Sequence, residues 1–261
     1  MVRAMVNAPH PQHPLLDRLW DRYVTQVPYA RRFAQLAGRF ENDHIALRTL
    51  DRPGSGLEMF ARVFEGFGWA RRDSYQFPDT HLSAIYLAQP GLPRVFISTL
   101  HVEALPPSAR EVLALHPPDD PPPPLKDLDA LAQWFCAPSR RPTRAQVETV
   151  MAHSQYGAWV MLFGRMVNHF TAAVDDVAAW QQRLLQDGVP MKDALEGAPI
   201  PPGGTGLRQT ATHAAPVDVT LGDGAVYRTP YAYFEIAERK GAFDGFLAPQ
   251  ARQLFEMTRP H

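Results

Sequence analysis

The sequence predicts an α+β fold made of two strand–helix–strands modules joined by a connector. Three observations carry this. Apolar residues recur at helical spacing in some stretches and alternate in others. The order of elements that follows Asn42 returns after Gly164. Between the two halves lies a proline-rich stretch, with Pro117, Pro118 and the run Pro121 to Pro124.

Along the chain, Leu15 to Phe40 reads as one or two helices, with Leu16, Leu19, Trp20, Tyr23 and Val24 on one stripe. Asn42 to Leu50 alternates as a strand does. Pro53 to Phe67 reads as a helix stopped by Gly66 and Gly68. Strands follow at Arg71–Phe77, Ser83–Ala88 and Arg94–Leu100. Pro106 to Pro124 is expected to run as extended surface chain without regular helix, because proline lacks the amide proton. Leu125–Phe135 and Thr143–His153 are expected helices, the second capped by Thr143. Tyr156 to Phe163 is a short apolar core segment. The second half then offers a strand at Met166–Val174 and a helix at Asp175–Asp187 closed by Gly188. A loop at Pro199–Gly206 precedes strands at Leu207–His213, Val217–Leu221 and Thr229–Ala237. A closing helix is expected from Phe243 to Met257. The whole reads as one catalytic domain, 1–261: an N-terminal helical segment (1–41), a first module (42–105), a connector with helices (106–163) and a second module with the closing helix (164–261).

The 261 residues are 45% hydrophobic and 20% charged, an ordinary globular composition long enough to bury a sizeable core. A formal net charge of -1 speaks against nucleic acid or a polybasic membrane surface as partner. Cys136 is the only cysteine, so an intrachain disulfide and a cysteine-rich zinc site are excluded. No apolar run approaches the roughly 20 residues that span a bilayer. Met1 to Pro14 lacks the apolar segment of a signal peptide, and a cytoplasmic location is the expectation.

Three strands carry residues with metal chemistry. In Asn42–Thr49, alternation puts Asn42, His44, Ala46 and Arg48 on one face, with Asp43, Ile45, Leu47 and Thr49 on the other. The small Ala46 leaves room for a ligand between His44 and Arg48. His169 shares a face with Val167 and Thr171. Glu235 shares a face with Tyr231 and Tyr233 in a strand so apolar that its charge needs a partner. Each residue also has a bland reading: a hydrogen-bonded core histidine, or an ion pair from Glu235 to Arg239 or Lys240. Two histidines and a carboxylate suit a facial triad, which leaves about three of about six octahedral positions for substrate.

At these residues the sequence resembles the 2-oxoadipate dioxygenase/decarboxylase (hydroxyglutarate synthase) family. The resemblance rests on NDHIALRTL (42–50), RVFISTL (94–100), GRMVNHFT (164–171), LRQTAT (207–212), YAYFEIAERKGAFDGF (231–246) and ARQLFEMT (251–258). It implies a glyoxalase-like, vicinal-oxygen-chelate fold: a curved sheet or half-barrel around a metal, with peripheral helices. It implies His44, His169 and Glu235 as ligands of Fe(2+), and Arg48 as the residue that binds a substrate carboxylate. The implied partners are a small 2-oxo acid and dioxygen. The implied chemistry is oxidative decarboxylation of an acid such as 2-oxoadipate, then hydroxylation to a 2-hydroxyglutarate-like product. The region around Pro106 to Pro142 looks abbreviated beside the family's longer members.

Gln209 and Ser98 are further candidates to line the substrate pocket or support a ligand. Arg165 and Arg208 are candidates for a second carboxylate contact. His81, His101, His153 and His213 are alternative ligands, His213 the best placed since it alternates with Gln209. Cys136 is expected to be a small buried hydrophobe. Two other functions remain open on the residues alone. One is a metal-dependent glyoxalase-fold enzyme of another reaction type, such as a ring-cleaving dioxygenase, an isomerase or a lyase. The other is a non-catalytic small-molecule-binding module.

Overall fold

A computed structural model of the chain describes residues 13–116, 120–136, 138 and 140–246. The first module runs β1 (Glu41–Asp51), α3 (Leu57–Gly66), β2 (Ala70–Phe77), β3 (Leu82–Ala88) and β4 (Arg94–His101), after two helices, α1 (Pro14–Gln26) and α2 (Pro28–Ala37). The connector region holds α4 (Pro107–Leu115), α5 (Leu128–Trp134), α6 (Arg144–Met151) and α7 (Gln155–Phe163). The second module runs β5 (His169–Ala173), α8 (Val177–Gln186), β6 (Gly206–Ala211), β7 (Ala215–Thr220), β8 (Val226–Ala232) and β9 (Glu235–Lys240).

Seven strands form one curled half-barrel sheet in the order β2-β3-β4-β1-β5-β9-β6, and β7 pairs with β8 apart from it. The two modules meet where β1 and β5 pair antiparallel. On either side the pattern repeats: β1 runs parallel to β4 and β5 parallel to β9, and the next strand outward is antiparallel. Bridges from Met191 to Thr212 and Glu196 to Gln209 lay an irregular segment beside β6, the place that β2 takes in the first module.

Helices cover one face of the sheet centre. Pro14 and Pro28 start α1 and α2 where the missing amide proton costs nothing. The stripe Leu15, Leu16, Leu19, Trp20, Tyr23 and Val24 is buried. The Trp20 ring lies 5.2 Å from Phe170 of β5, and Phe33 of α2 lies 5.0 Å from Phe234 and 4.9 Å from Trp180 of α8. Because Phe170 faces these helices, its neighbours His169 and Thr171 face the other side. Thr143 and Gln146 form the capping box that starts α6.

Four expectations need correction. Pro107–Leu115 is a helix, not extended chain: Pro107 stands in its first turn, and the proline cluster begins only after it. The single strand expected at Thr229–Ala237 breaks at Tyr233–Phe234, because β8 pairs with β7 while β9 crosses into the main sheet. Residues 243–246 are irregular, and the rest of the expected closing helix lies outside the described residues. Cys136 is partly exposed, its Sγ 2.6 Å from Arg22 Nη1, and is not a core hydrophobe.

Phe170 is fully buried between Trp20 and Tyr23 on one side and the sheet on the other. Phe170→Ala is expected to lower unfolding stability by about 3–5 kcal/mol, read by urea denaturation. A loss below about 1 kcal/mol would show that the helical layer is not anchored there.

Candidate metal centre

The register of the three central strands gathers the ligands. His44 pairs with Thr171, and Ala46 with His169, across β1 and β5. Thr171 in turn pairs with Glu235 across β5 and β9. Directly paired residues share a face, as do residues two apart. His44, His169, Thr171 and Glu235 therefore all stand on the face away from α1 and α2.

Their side chains converge. Ligand atoms of His44, His169 and Glu235 lie within 4.8 Å of one another, and all three residues are at most 2% exposed. His44 Nε2 is 3.3 Å from His169 Nε2 and 3.3 Å from Glu235 Oε1. The Thr171 hydroxyl donates to Glu235 Oε1 at 3.2 Å and lies 3.0 Å from His44 Nε2. Glu235 Oε2 is buried without a hydrogen-bond partner. A buried carboxylate oxygen left so is costly unless something cationic meets it. Two imidazole nitrogens and a carboxylate fit a divalent transition metal, in the pattern of a facial triad.

The outer nitrogens of both histidines are held. His44 Nδ1 is 2.8 Å from Asp43 Oδ2, and His169 Nδ1 is 3.1 Å from Asn168 Oδ1. Simple alternation places Asp43 on the far face. Instead the pairing of β1 with β5 slips between Asn42 and His44, and this bulge lets consecutive side chains meet. Arg239 forks onto Asp43 with Nε on Oδ1 at 2.8 Å and Nη2 on Oδ2 at 2.9 Å. So Arg239 is not the partner of Glu235, and Lys240 pairs with Glu238.

Electrostatics follow from this packing. Burial pushes the Asp43 carboxyl up, but hydrogen bonds from Arg239 and His44 outweigh it and hold the group far below the usual carboxylate range. Burial alone would lower His44; its bonds to Asp43 and Glu235 leave it raised. His169 is pushed well down by burial and by the positive groups His44 and Arg48, so it offers a neutral lone pair.

Arg48 lies four residues beyond His44 on the same face and is buried. Its guanidinium carbon is 5.2 Å from the centre of the Tyr156 ring and 5.1 Å from that of Trp159, both on α7. Ser98 pairs with Arg48 across β1 and β4. Its hydroxyl is 2.9 Å from the Tyr156 hydroxyl, which donates to the Ser98 carbonyl at 2.8 Å. Ser98 thus fastens the aromatic wall of the Arg48 site. Gln209 faces the same way as Glu235, since Ala211 and Gln209 pair with Glu235 and Ala237. Its amide donates to Glu196 Oε2 at 3.1 Å, while its Oε1 is buried without a hydrogen-bond partner. Burial and the nearby Glu235 charge push the Glu196 carboxyl up.

The other candidates stand away from the triad. His81, His153 and His213 are exposed, and His101 Nδ1 lies 3.0 Å from Asp51. Arg165 donates to the Trp134 carbonyl and lies over its ring. Arg208 pairs with Glu238 on the face opposite Gln209. Sequence reasoning missed Thr171, Asn168, Tyr156, Trp159 and the Asp43–Arg239 pair as site residues. Tyr233, whose ring stacks 4.6 Å from that of His169, was placed near Glu235 but through the wrong strand. Only Asp43 and Asn168 carried a signal, as polar residues next to each histidine.

Comparison with known proteins shows the family and the fold. The profile of the 2-oxoadipate dioxygenase/decarboxylase family matches residues 15–116 and 127–259. A chloroplastic 2-oxoadipate dioxygenase/decarboxylase of Arabidopsis thaliana is 27% identical over 253 residues, 83% of this chain and 67% of the relative. The chain thus spans about two thirds of that protein's length. The solved hydroxyglutarate synthase of Oryza sativa, in complex with 2-oxoadipate, has 23% identity and a TM-score of 0.81, covering 99% of this chain and 98% of its own. A structure assigned to the glyoxalase superfamily, from Ralstonia eutropha JMP134, has 23% identity and a TM-score of 0.77, covering 90% and 85%. These two structural likenesses carry the fold.

Two outcomes are expected. Glu235→Ala should weaken binding of a divalent metal beyond the roughly 10–100-fold typical of losing an outer partner. Chelator competition measures it, and a smaller change would remove Glu235 from the ligand set. Glu196 has a raised folded pKa, so its burial penalty is absent at low pH and appears as pH rises through that value. Glu196→Gln should therefore gain stability relative to the parent as pH rises from about 4 to 7. Parallel pH–Tm curves would contradict this.

Proposed function

This chain belongs to the 2-oxoadipate dioxygenase/decarboxylase family, and on that premise we propose that it is an iron(II)-dependent oxygenase of a 2-oxo dicarboxylic acid such as 2-oxoadipate. The overall change takes the acid and dioxygen to a 2-hydroxy acid, one carbon shorter, and carbon dioxide. The atoms balance: six carbons become five plus one, and both dioxygen atoms are retained in the products. The observation that carries the reading is the convergence of His44, His169 and Glu235 on the strand face that also bears Arg48.

An iron(II) ion bound there supplies Lewis acidity toward the 2-oxo acid and electrons for dioxygen reduction. The protein's residues do the rest. His44 and His169 direct lone pairs, and Glu235 a negative charge, to one side of the site, which leaves the opposite side for substrate and dioxygen. Arg48 pairs with a carboxylate of the substrate, and the rings of Tyr156 and Trp159 hold its guanidinium plane. The small Ala46 lies between His44 and Arg48, opposite His169, so the substrate chain has room. Burial of the ligands keeps bulk water from the reacting acid.

The test is oxygen uptake by protein reconstituted anaerobically with iron(II). With 2-oxoadipate or a related 2-oxo acid, uptake should match the release of carbon dioxide. If no 2-oxo acid supports uptake, the reaction class is wrong. Arg48→Met should lower kcat/KM by roughly 10- to 150-fold, the loss of about 1.5–3 kcal/mol for a hydrogen-bonded charge. An unchanged kcat/KM would take Arg48 out of substrate binding.

A further inference from the structure

Both histidine ligands are braced at Nδ1, but unequally. His169 meets the neutral amide of Asn168 at 3.1 Å. His44 meets a carboxylate at 2.8 Å, and that carboxylate is itself built in. Asp43 is brought to His44 by a β-bulge. Its two oxygens are forked by Arg239, and Arg94 Nη1 stands 3.6 Å from Oδ1. Arg239 spends its remaining donor group on the carbonyls of Gly245, at 2.7 Å, and Phe243, at 3.3 Å. Those bonds shape the segment that sets the Phe246 ring edge-on to His44, 4.8 Å between centroids. The imidazole is therefore fixed by hydrogen bond on one edge and by packing on its ring.

We propose that Asp43 is the positioning residue for His44, with Arg239 holding Asp43 in place, so that the ring is set with Nδ1 on Asp43 and Nε2 toward the metal position. A carboxylate can only accept, so the shared hydrogen must sit on Nδ1. Nε2 then faces Glu235 and His169. An outer carboxylate of this kind fixes both tautomer and ring orientation and makes the ligand more basic. A purely structural ion pair would stabilise the fold without selecting a tautomer. The proposal rests on the reading that the triad binds a metal.

Two measurements test it. Nitrogen NMR of the metal-free protein, at a pH high enough that His44 carries a single proton, should show that proton at Nδ1, and Asp43→Asn should shift the population toward Nε2. An asparagine amino group in the place of Oδ1 loses the bond from Arg239 Nε, and in the place of Oδ2 it loses the bonds from both His44 and Arg239 Nη2. Binding of iron(II) alone, titrated anaerobically against a chromophoric chelator, should weaken about 10–100-fold in Asp43→Asn. Arg239→Lys keeps the charge without the fork and should fall between the variant and the parent. It also carries the affinity test if Asp43→Asn does not fold. A parent protein whose singly protonated His44 holds its proton at Nε2 overturns the proposal, as do variant affinities within twofold of the parent. A parent that binds no iron(II) overturns the oxygenase reading as well, so the two failures are distinct.

Discussion

Thr171 pairs across the sheet with His44 on one side and with Glu235 on the other. That row of three residues, on three adjacent strands from distant parts of the chain, is the constraint on which the site depends. A one-residue slip in either pairing would turn a ligand toward the helices, because side chains alternate with a period of two. The register is held from the other face. Phe170 and Phe234 are locked among Trp20, Tyr23 and Phe33, so the apolar packing that stabilises the domain also aims the candidate metal ligands.

The duplication of the modules explains why the candidate centre has three ligands rather than four. In the antiparallel pairing of β1 with β5, His44 and His169 hold equivalent places on either side of the Ile45–Phe170 pair. By the same correspondence Thr171 matches Ala46. Their partners on the flanking parallel strands are Glu235 and Phe96. One module thus contributes a carboxylate where the other contributes a phenyl ring, which packs 4.9 Å from Phe246. The asymmetry leaves one side of the centre without a protein donor at that position, as an oxygenase needs for its substrate.

Burying so many polar groups is costly, and the structure offsets the cost by pairing them in layers. Glu235 and the histidines face one another, Asp43 backs His44, and Arg239 backs Asp43. Arg48 sits apart, between aromatic rings and close to Ser98 and Tyr156. The atoms left without hydrogen-bond partners include Glu235 Oε2 and Gln209 Oε1, both of residues on the ligand face. Stability and function meet in that arrangement: the unsatisfied oxygens belong to the residues best placed to meet a metal or a substrate.

Much of this protein was legible in its sequence. Periodicity placed most of the helices and strands, and alternation alone put His44 and Arg48 on one face, because that rule is local. The ordered motifs joined His44, His169 and Glu235, which lie too far apart in the chain for any spacing to link them. Non-local and irregular features were hidden. The helix at Pro107–Leu115 was masked by the prolines beyond it, and the break at Tyr233–Phe234 by a continuous apolar pattern. The bulge that brings Asp43 to His44 violates the alternation used to read the strand, so Asp43 was assigned to the wrong side. Its partner Arg239 is 196 residues away. The sequence by itself determined which residue types each strand offers and, where pairing is regular, on which face. Only the tertiary structure decided which of them meet, because strand register and side-chain convergence are set by packing between distant segments.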